Sequence, residues 1–349
     1  MKRSIEILGK TAIFTLLLGM SGFVAKAGRN NFQFHSLQDF QFVPAARKVD
    51  REIDLKTKKD ARDAQPLQFQ LAQARVNPAN LLDGGPPKDG IPSIDSPQFD
   101  TASSTPFRNN EEIIGVVVNG EAKAYPIGIL NWHEIANDTI GGVNVSVTYC
   151  PLCDTAIVFD RGNTTFGVSG KLYQSCLVMY DRADDTLYVQ PWGLGVLGRN
   201  VNRNLPRVPA VKTTLGAWLD RYPDSQILST NTGYQRNYQR YPYGTYNQDR
   251  RIIFPVRNQD ELELHPKAAI SYIWTIDSGG APDRFAGDSV QFIHREIEQM
   301  GERTIEFDGR SIRAYWDDTL ETVVVEEADG TLIPAATAFA FVYPAFMGD

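Results

Sequence analysis

Asn119-Gly120 stands between two apolar runs in EIIGVVVNGEAKAYPI, and this pairing limits the possible folds more than any other feature of the chain. Asn-Gly adopts the left-handed backbone that a two-residue hairpin turn needs, so the flanking runs are expected to pair as antiparallel strands. The same form recurs downstream. TIGGVNVSVTY reads as a turn and an alternating strand, TAIVFDRGNTTFGVSG turns at Arg161-Gly162-Asn163, and SCLVMYDRADDTLYVQPW turns at Ala183-Asp184-Asp185. Between 285 and 330, Asp308-Gly309 and Asp329-Gly330 mark further hairpins. Strands this short and closely spaced predict a mainly β, α+β protein with a few helices. Its core is an antiparallel sandwich or barrel-like assembly of short hairpins.

Two helical pieces interrupt the β pattern. GILNWHEIAND offers Ile129, Trp132 and Ile135 to a core, and TTLGAWLDRYPD spaces Leu215, Trp218 and Leu219 on one face before Pro223 stops it. Upstream, the prolines of LLDGGPPKDGIPSIDSPQFD exclude a regular helix or a central strand. Its interspersed Ile91, Ile94 and Phe99 predict an extended segment laid on the domain surface.

Residues 1–27 read as an export signal: a basic start, an apolar run, and Ala25-Lys26-Ala27 as the cleavage site. Residues 28–80 then form a charge-dense, loosely ordered arm, and 81–349 a single β-rich domain. The expected location is periplasmic or secreted, with no stable membrane span once the signal is cut. Loss of the signal takes the net charge from −7 to −10. An acidic chain without a basic block is a poor partner for nucleic acid.

The whole chain has only three cysteines, too few and too odd a number for a disulfide framework. Two of them form Cys150-Pro-Leu-Cys153 between two strand-like runs. Three readings compete. A thioredoxin-type redox pair wants a helix after the motif, and Thr155, Ala156, Ile157, Val158 and Phe159 prefer a strand. A metal knuckle would point both sulfurs at one ion, with His133 returning beside the turn and Cys176 or Met179 completing the shell. That donor set suits zinc or copper. The third reading is inert: a short-loop disulfide or two buried thiols. Deamination is excluded, because Glu134 directly follows His133 and the proline lies between the cysteines.

GGPPKDGIP, VNGEAKAYPIGILNWHEIANDTIGGV, VTYCPLCDTA, FGVSGKLYQSCLVMYDR and LHPK, in that order, resemble the domain-of-unknown-function family numbered 3179, over about residues 83–270. AFAFVYPAF extends the resemblance toward the C-terminus. The resemblance implies exported bacterial or archaeal proteins without an established activity. It marks His133, Cys150 and Cys153 as family features, with Lys88, Asp89 and Lys267. It also implies a small residue where this chain has Asp154, and a polar one at Cys176.

The leading expectation is a Cys150, Cys153 and His133 metal site for metal handling or metal-assisted chemistry. The alternatives are a thiol–disulfide oxidoreductase using the same cysteines, or a module binding a small molecule through Lys88, Asp89, Tyr173, His265 and Lys267.

Overall fold

The structure, a computed structural model, describes residues 74–277 and 280–348. The export signal and most of the arm expected from the sequence lie outside the described residues. The last part of the arm, from residue 74, packs on the domain: Val76 is fully buried and the Arg75 amide donates to the Val196 carbonyl.

Among the described residues the chain forms twenty short strands and four short α-helices. The first strands are β1 (Leu82–Asp83), β2 (Phe99–Asp100), β3 (Glu112–Val118) and β4 (Glu121–Pro126), followed by helix α1 (Ile127–His133). Then come β5 (Ile135–Ile140), β6 (Val143–Cys150), β7 (Thr155–Asp160), β8 (Phe166–Tyr173) and β9 (Cys176–Asp181). Next are β10 (Leu187–Val189), β11 (Leu194–Leu197), β12 (Arg207–Val208), β13 (Ala210–Thr214), α2 (Leu215–Arg221) and β14 (Gln226–Leu228). The C-terminal part holds β15 (Ala269–Trp274), β16 (Ser289–Ile293), α3 (His294–Met300), β17 (Glu302–Phe307) and β18 (Arg310–Asp317). It closes with β19 (Thr322–Glu327), β20 (Ala336–Phe339) and α4 (Val342–Met347).

Four sheets result, almost wholly antiparallel, and none closes into a barrel among the described residues. The central sheet runs β16-β15-β20-β7-β6-β5, with β12 on β7. A second runs β1-β8-β9-β10-β11, a third β13-β3-β4-β14-β2, and the smallest β17-β18-β19. Asn119 and Gly120 both take positive φ, and Val118 pairs with Glu121 across them, as their residue types demand. The Arg161-Gly162-Asn163 turn acts differently from a hairpin: β7 stays in the central sheet while β8 pairs with β9 in the next. The proline-rich segment lies extended on the domain, with Ile94 bridging Ala136 and both Ile91 and Ile94 buried.

Local chemistry explains several boundaries. The Thr214 hydroxyl accepts from the Ala217 amide and starts α2. Helix α2 lays Trp218 over Gly115 of β3, so closely that a Cβ at Gly115 would lie 2.3 Å from the indole. No other residue fits that position without moving the helix. The small sheet keeps its own cluster of Ile273, Phe292, Ile297, Ile312 and Val325, apart from the main core.

Candidate functional site

The Cys-x-x-Cys turn links β6 to β7, two adjacent strands in the interior of the central sheet. Cys150 ends β6 opposite Thr155, so residues 151–154 are the loop, and the Cys153 amide donates to the Cys150 carbonyl at 3.2 Å. Asp154 takes a positive φ, and its carboxylate is held by the Tyr149 hydroxyl at 2.7 Å and the Lys212 ammonium at 2.8 Å. Lys212 also pairs with Glu112 at 2.8 Å. Burial works against its charge, but the two carboxylates outweigh it and keep the ammonium protonated. The turn is therefore pinned from below.

Cys176 arrives from the second sheet. Gln174 and Ser175, both at positive φ, turn β8 into β9 so that Tyr173 pairs with Cys176. This places the third sulfur against the other two, and all three cysteines are free. Their exposures are 1%, 0% and 0% for Cys150, Cys153 and Cys176.

The hydrogen bonds among them have a direction. Burial alone would push the Cys150 thiol up. The neighbouring Cys153 and Cys176 thiols and the Cys153 and Leu152 amides favour its charged form instead, and together they take it well below the ordinary thiol range. Cys153 is pushed up by burial and by its bond to Cys150, although the Cys176 thiol and the Thr155 hydroxyl, at 3.1 Å, donate to it. Burial and the bonds it gives to both neighbours hold Cys176 protonated. The surroundings thus favour charge at Cys150 and disfavour it at Cys153 and Cys176.

His133 does not join them. Its Nδ1 lies 2.7 Å from the Pro92 carbonyl and must donate there, which leaves Nε2 to accept from the Tyr238 hydroxyl at 2.8 Å. The lone pair that a metal would need is thus already used. Burial lowers the imidazole to about 4, so it is neutral at physiological pH. Met179 is also misplaced: three residues beyond Cys176 on a strand, it faces the opposite side of the sheet. Among the described residues no group of three or more His, Cys, Asp and Glu side chains is placed to hold a metal ion. The expected Cys150, Cys153 and His133 centre therefore loses its imidazole to other partners.

The residue next to His133 was not singled out by sequence and lies beside the thiols. Glu134 caps α1 at φ 57°, and its carbonyl accepts the Tyr149 amide at 2.7 Å, one residue before Cys150. Its carboxyl is buried with no hydrogen bond or ion pair among the described residues. Burial, then the Cys150 charge, raises it well above the usual carboxylate range. The signal available was an acidic residue set between His133 and the apolar Ile135.

A tyrosine-rich strap covers the turn. Tyr241 donates to the Pro151 carbonyl at 3.2 Å and Tyr246 to the Leu152 carbonyl at 2.7 Å. Lys267, its side chain 1% exposed, ties the strap down. Its ammonium donates to the carbonyls of Tyr246 and Asp249 and to the Asp249 carboxylate, and lies 3.7 Å from the Tyr246 ring centre. The His265 imidazole accepts the Lys267 amide at 3.2 Å, which shapes that corner.

The residues expected to bind a small molecule each have partners of their own. Lys88 pairs with Asp185 at 2.6 Å over the Tyr180 ring, and Asp89 accepts from Tyr180 and Arg182. Tyr173 donates to Asp283 at 3.1 Å, beside Trp192 and Phe346. These contacts are separate from those of His265 and Lys267, and each brings two pieces of backbone together.

Fold and site together define a β-rich protein built around a sealed group of three thiols. The chain belongs to the family described as protein of unknown function (DUF3179), whose model matches residues 88–349 and so reaches the C-terminus. No curated protein and no solved structure matches the chain.

Proposed function

We propose that the protein is an exported thiol redox protein, in which Cys150 and Cys153 cycle between dithiol and disulfide. The observation that carries this reading is the burial of three free cysteines at the Cys-x-x-Cys turn, with the Thr155 hydroxyl 3.1 Å from the Cys153 sulfur. The surroundings favour the charged form at Cys150, the form in which cysteine attacks. Cys153 is the resolving partner, three residues away in the same turn, with the Thr155 hydroxyl and the Cys176 thiol ready to stabilise its sulfur once Cys150 has reacted. The strand that follows the motif removes the helix dipole on which thioredoxin-type sites rely; here thiol and amide donors do that work.

The test is a count of thiols in denatured samples. Reduced protein should show three, protein treated with diamide one, and protein then treated with dithiothreitol three again. Peptide mapping should place the disulfide between Cys150 and Cys153. A count that stays at three after diamide would remove the reading.

A further inference from the structure

Resting on that thiol cycle, we propose that residues 234–251 form a gate over the thiol turn, and that exchange at Cys150 and Cys153 takes place only while this strap is lifted. With the strap closed, Cys150, Cys153 and Cys176 are each 1% exposed or less, so no partner touches a sulfur. Something must therefore move in a working cycle, and the two sides of the turn differ in what movement costs. Cys150 ends β6 opposite Thr155 of β7 inside the central sheet, while Cys176 pairs with Tyr173 between β8 and β9. Exposing the sulfurs from that side breaks strand ladders. Among the described residues no strand lies between β14 and β15, so the strap has no ladder to break. Of residues 231–251 only Tyr238, Pro242 and Tyr246 are buried. Segments with little buried surface and few protected backbone bonds open most readily.

The fastenings are few and polar. The Tyr241 hydroxyl donates to the Pro151 carbonyl at 3.2 Å and the Tyr246 hydroxyl to the Leu152 carbonyl at 2.7 Å, and these are the two residues between the cysteines of the turn. Lys267, outside the strap, closes its far end: the ammonium donates to the Tyr246 carbonyl and, at 2.6 Å, to the Asp249 carbonyl. At the near end the Tyr238 hydroxyl lies 2.6 Å from the Thr232 hydroxyl and 2.8 Å from His133 Nε2, and the Trp132 indole donates to the Arg240 carbonyl at 3.1 Å. Gly233 precedes the strap at φ 83°, with no atom within 4 Å of the place a Cβ would take, so the chain can swing there without a clash. Release of Tyr241, Tyr246 and the Lys267 contacts bares Pro151 and Leu152 while β6, β7 and β9 stay paired.

The experiment follows 4,4′-dithiodipyridine, a small neutral disulfide, as it reacts with reduced full-length protein at a series of low urea concentrations; each thiol attacked releases one thiopyridone. A gate that opens locally gives a labelling rate almost independent of urea at the low end, joining the global unfolding slope only at higher urea. Tyr246→Phe keeps the ring, removes one fastening and should label about fivefold faster. Lys267→Met removes several and should label about a hundredfold faster. Labelling that follows the global slope from the lowest urea, or a Tyr246→Phe rate equal to that of the unchanged chain, would overturn the gate and leave the thiol cycle standing on its diamide count. Local labelling in a protein whose count stays at three after diamide would remove the cycle, and with it a gate for redox exchange.

Discussion

The thiol turn and the small β17-β18-β19 sheet are both built from tight antiparallel hairpins, yet they treat polar groups in opposite ways. In the small sheet charges face solvent and find partners across the strands: Arg313 reaches Glu302 and Glu326, and Arg310 reaches Glu327. Around the turn, ionisable groups are buried, and several lack an opposite charge: three cysteines, the Glu134 carboxyl and the neutral His133. Exposed pairs of the first kind contribute little to stability and nothing to reactivity. Buried groups of the second kind cost stability, and the fold keeps them beside its three buried sulfurs.

The sharpest way to test the contrast is Cys150→Ser. Diamide should then lower the thiol count much more slowly, since burial still disfavours the charged form of the two thiols that remain; an unchanged oxidation rate in a thiol assay would place the reactive sulfur elsewhere. Lys267→Met comes next. It leaves strap carbonyls buried without a donor and should cost about 3 kcal/mol, read as a lower urea midpoint at unchanged slope.

Acid stability gives a third test. Burial lowers the folded-state value of His133 to about 4, against an unfolded value near 6.5. A base depressed in this way contributes stability that is complete above the unfolded value and is lost as pH falls toward the folded one. The unfolded chain takes up the proton first. Between about pH 6.5 and 4 the protein should lose up to about 3 kcal/mol from this residue. His133→Gln should flatten that limb in urea titrations run at several pH values; the slope that remains belongs in part to His294, which burial also lowers to about 4. The smallest effect is expected for Arg313→Ala, a barely shifted urea midpoint that added salt suppresses further. A loss there as large as at Lys267 would erase the distinction between the two regions.

Much of the architecture was legible from local patterns. Asn119-Gly120, Ala183-Asp184-Asp185 and Asp308-Gly309 all turn strands as their residue types require, and Thr214 and Pro223 bracket α2. The extended course of the proline-rich segment followed from its spaced isoleucines. What was hidden was non-local. Nothing in Arg161-Gly162-Asn163 tells whether the following strand stays in its sheet or leaves it. Gln174-Ser175 carries neither Gly nor Asn, so the turn that delivers Cys176 has no local signature, although the strand starting there does. Helix α3 was missed because HREIEQM is short and has Ile297 as its single buried residue. The candidate site was half legible: both cysteines of the turn and Cys176 do meet. The histidine was misjudged because chain proximity to the strand ending at Cys150 does not decide which way an imidazole turns. Glu134, beside it, lies near Cys150 instead.

An odd number of sulfurs in mutual contact has a consequence for bookkeeping of the oxidised state. Any single linkage leaves a spectator next to a bond it can attack, so the link can migrate without an outside reagent. The Cys150–Cys153 link expected from mapping is then the one selected by its fit to the backbone over the other pairings. Only those bridges that include Cys176 stitch two sheets into one.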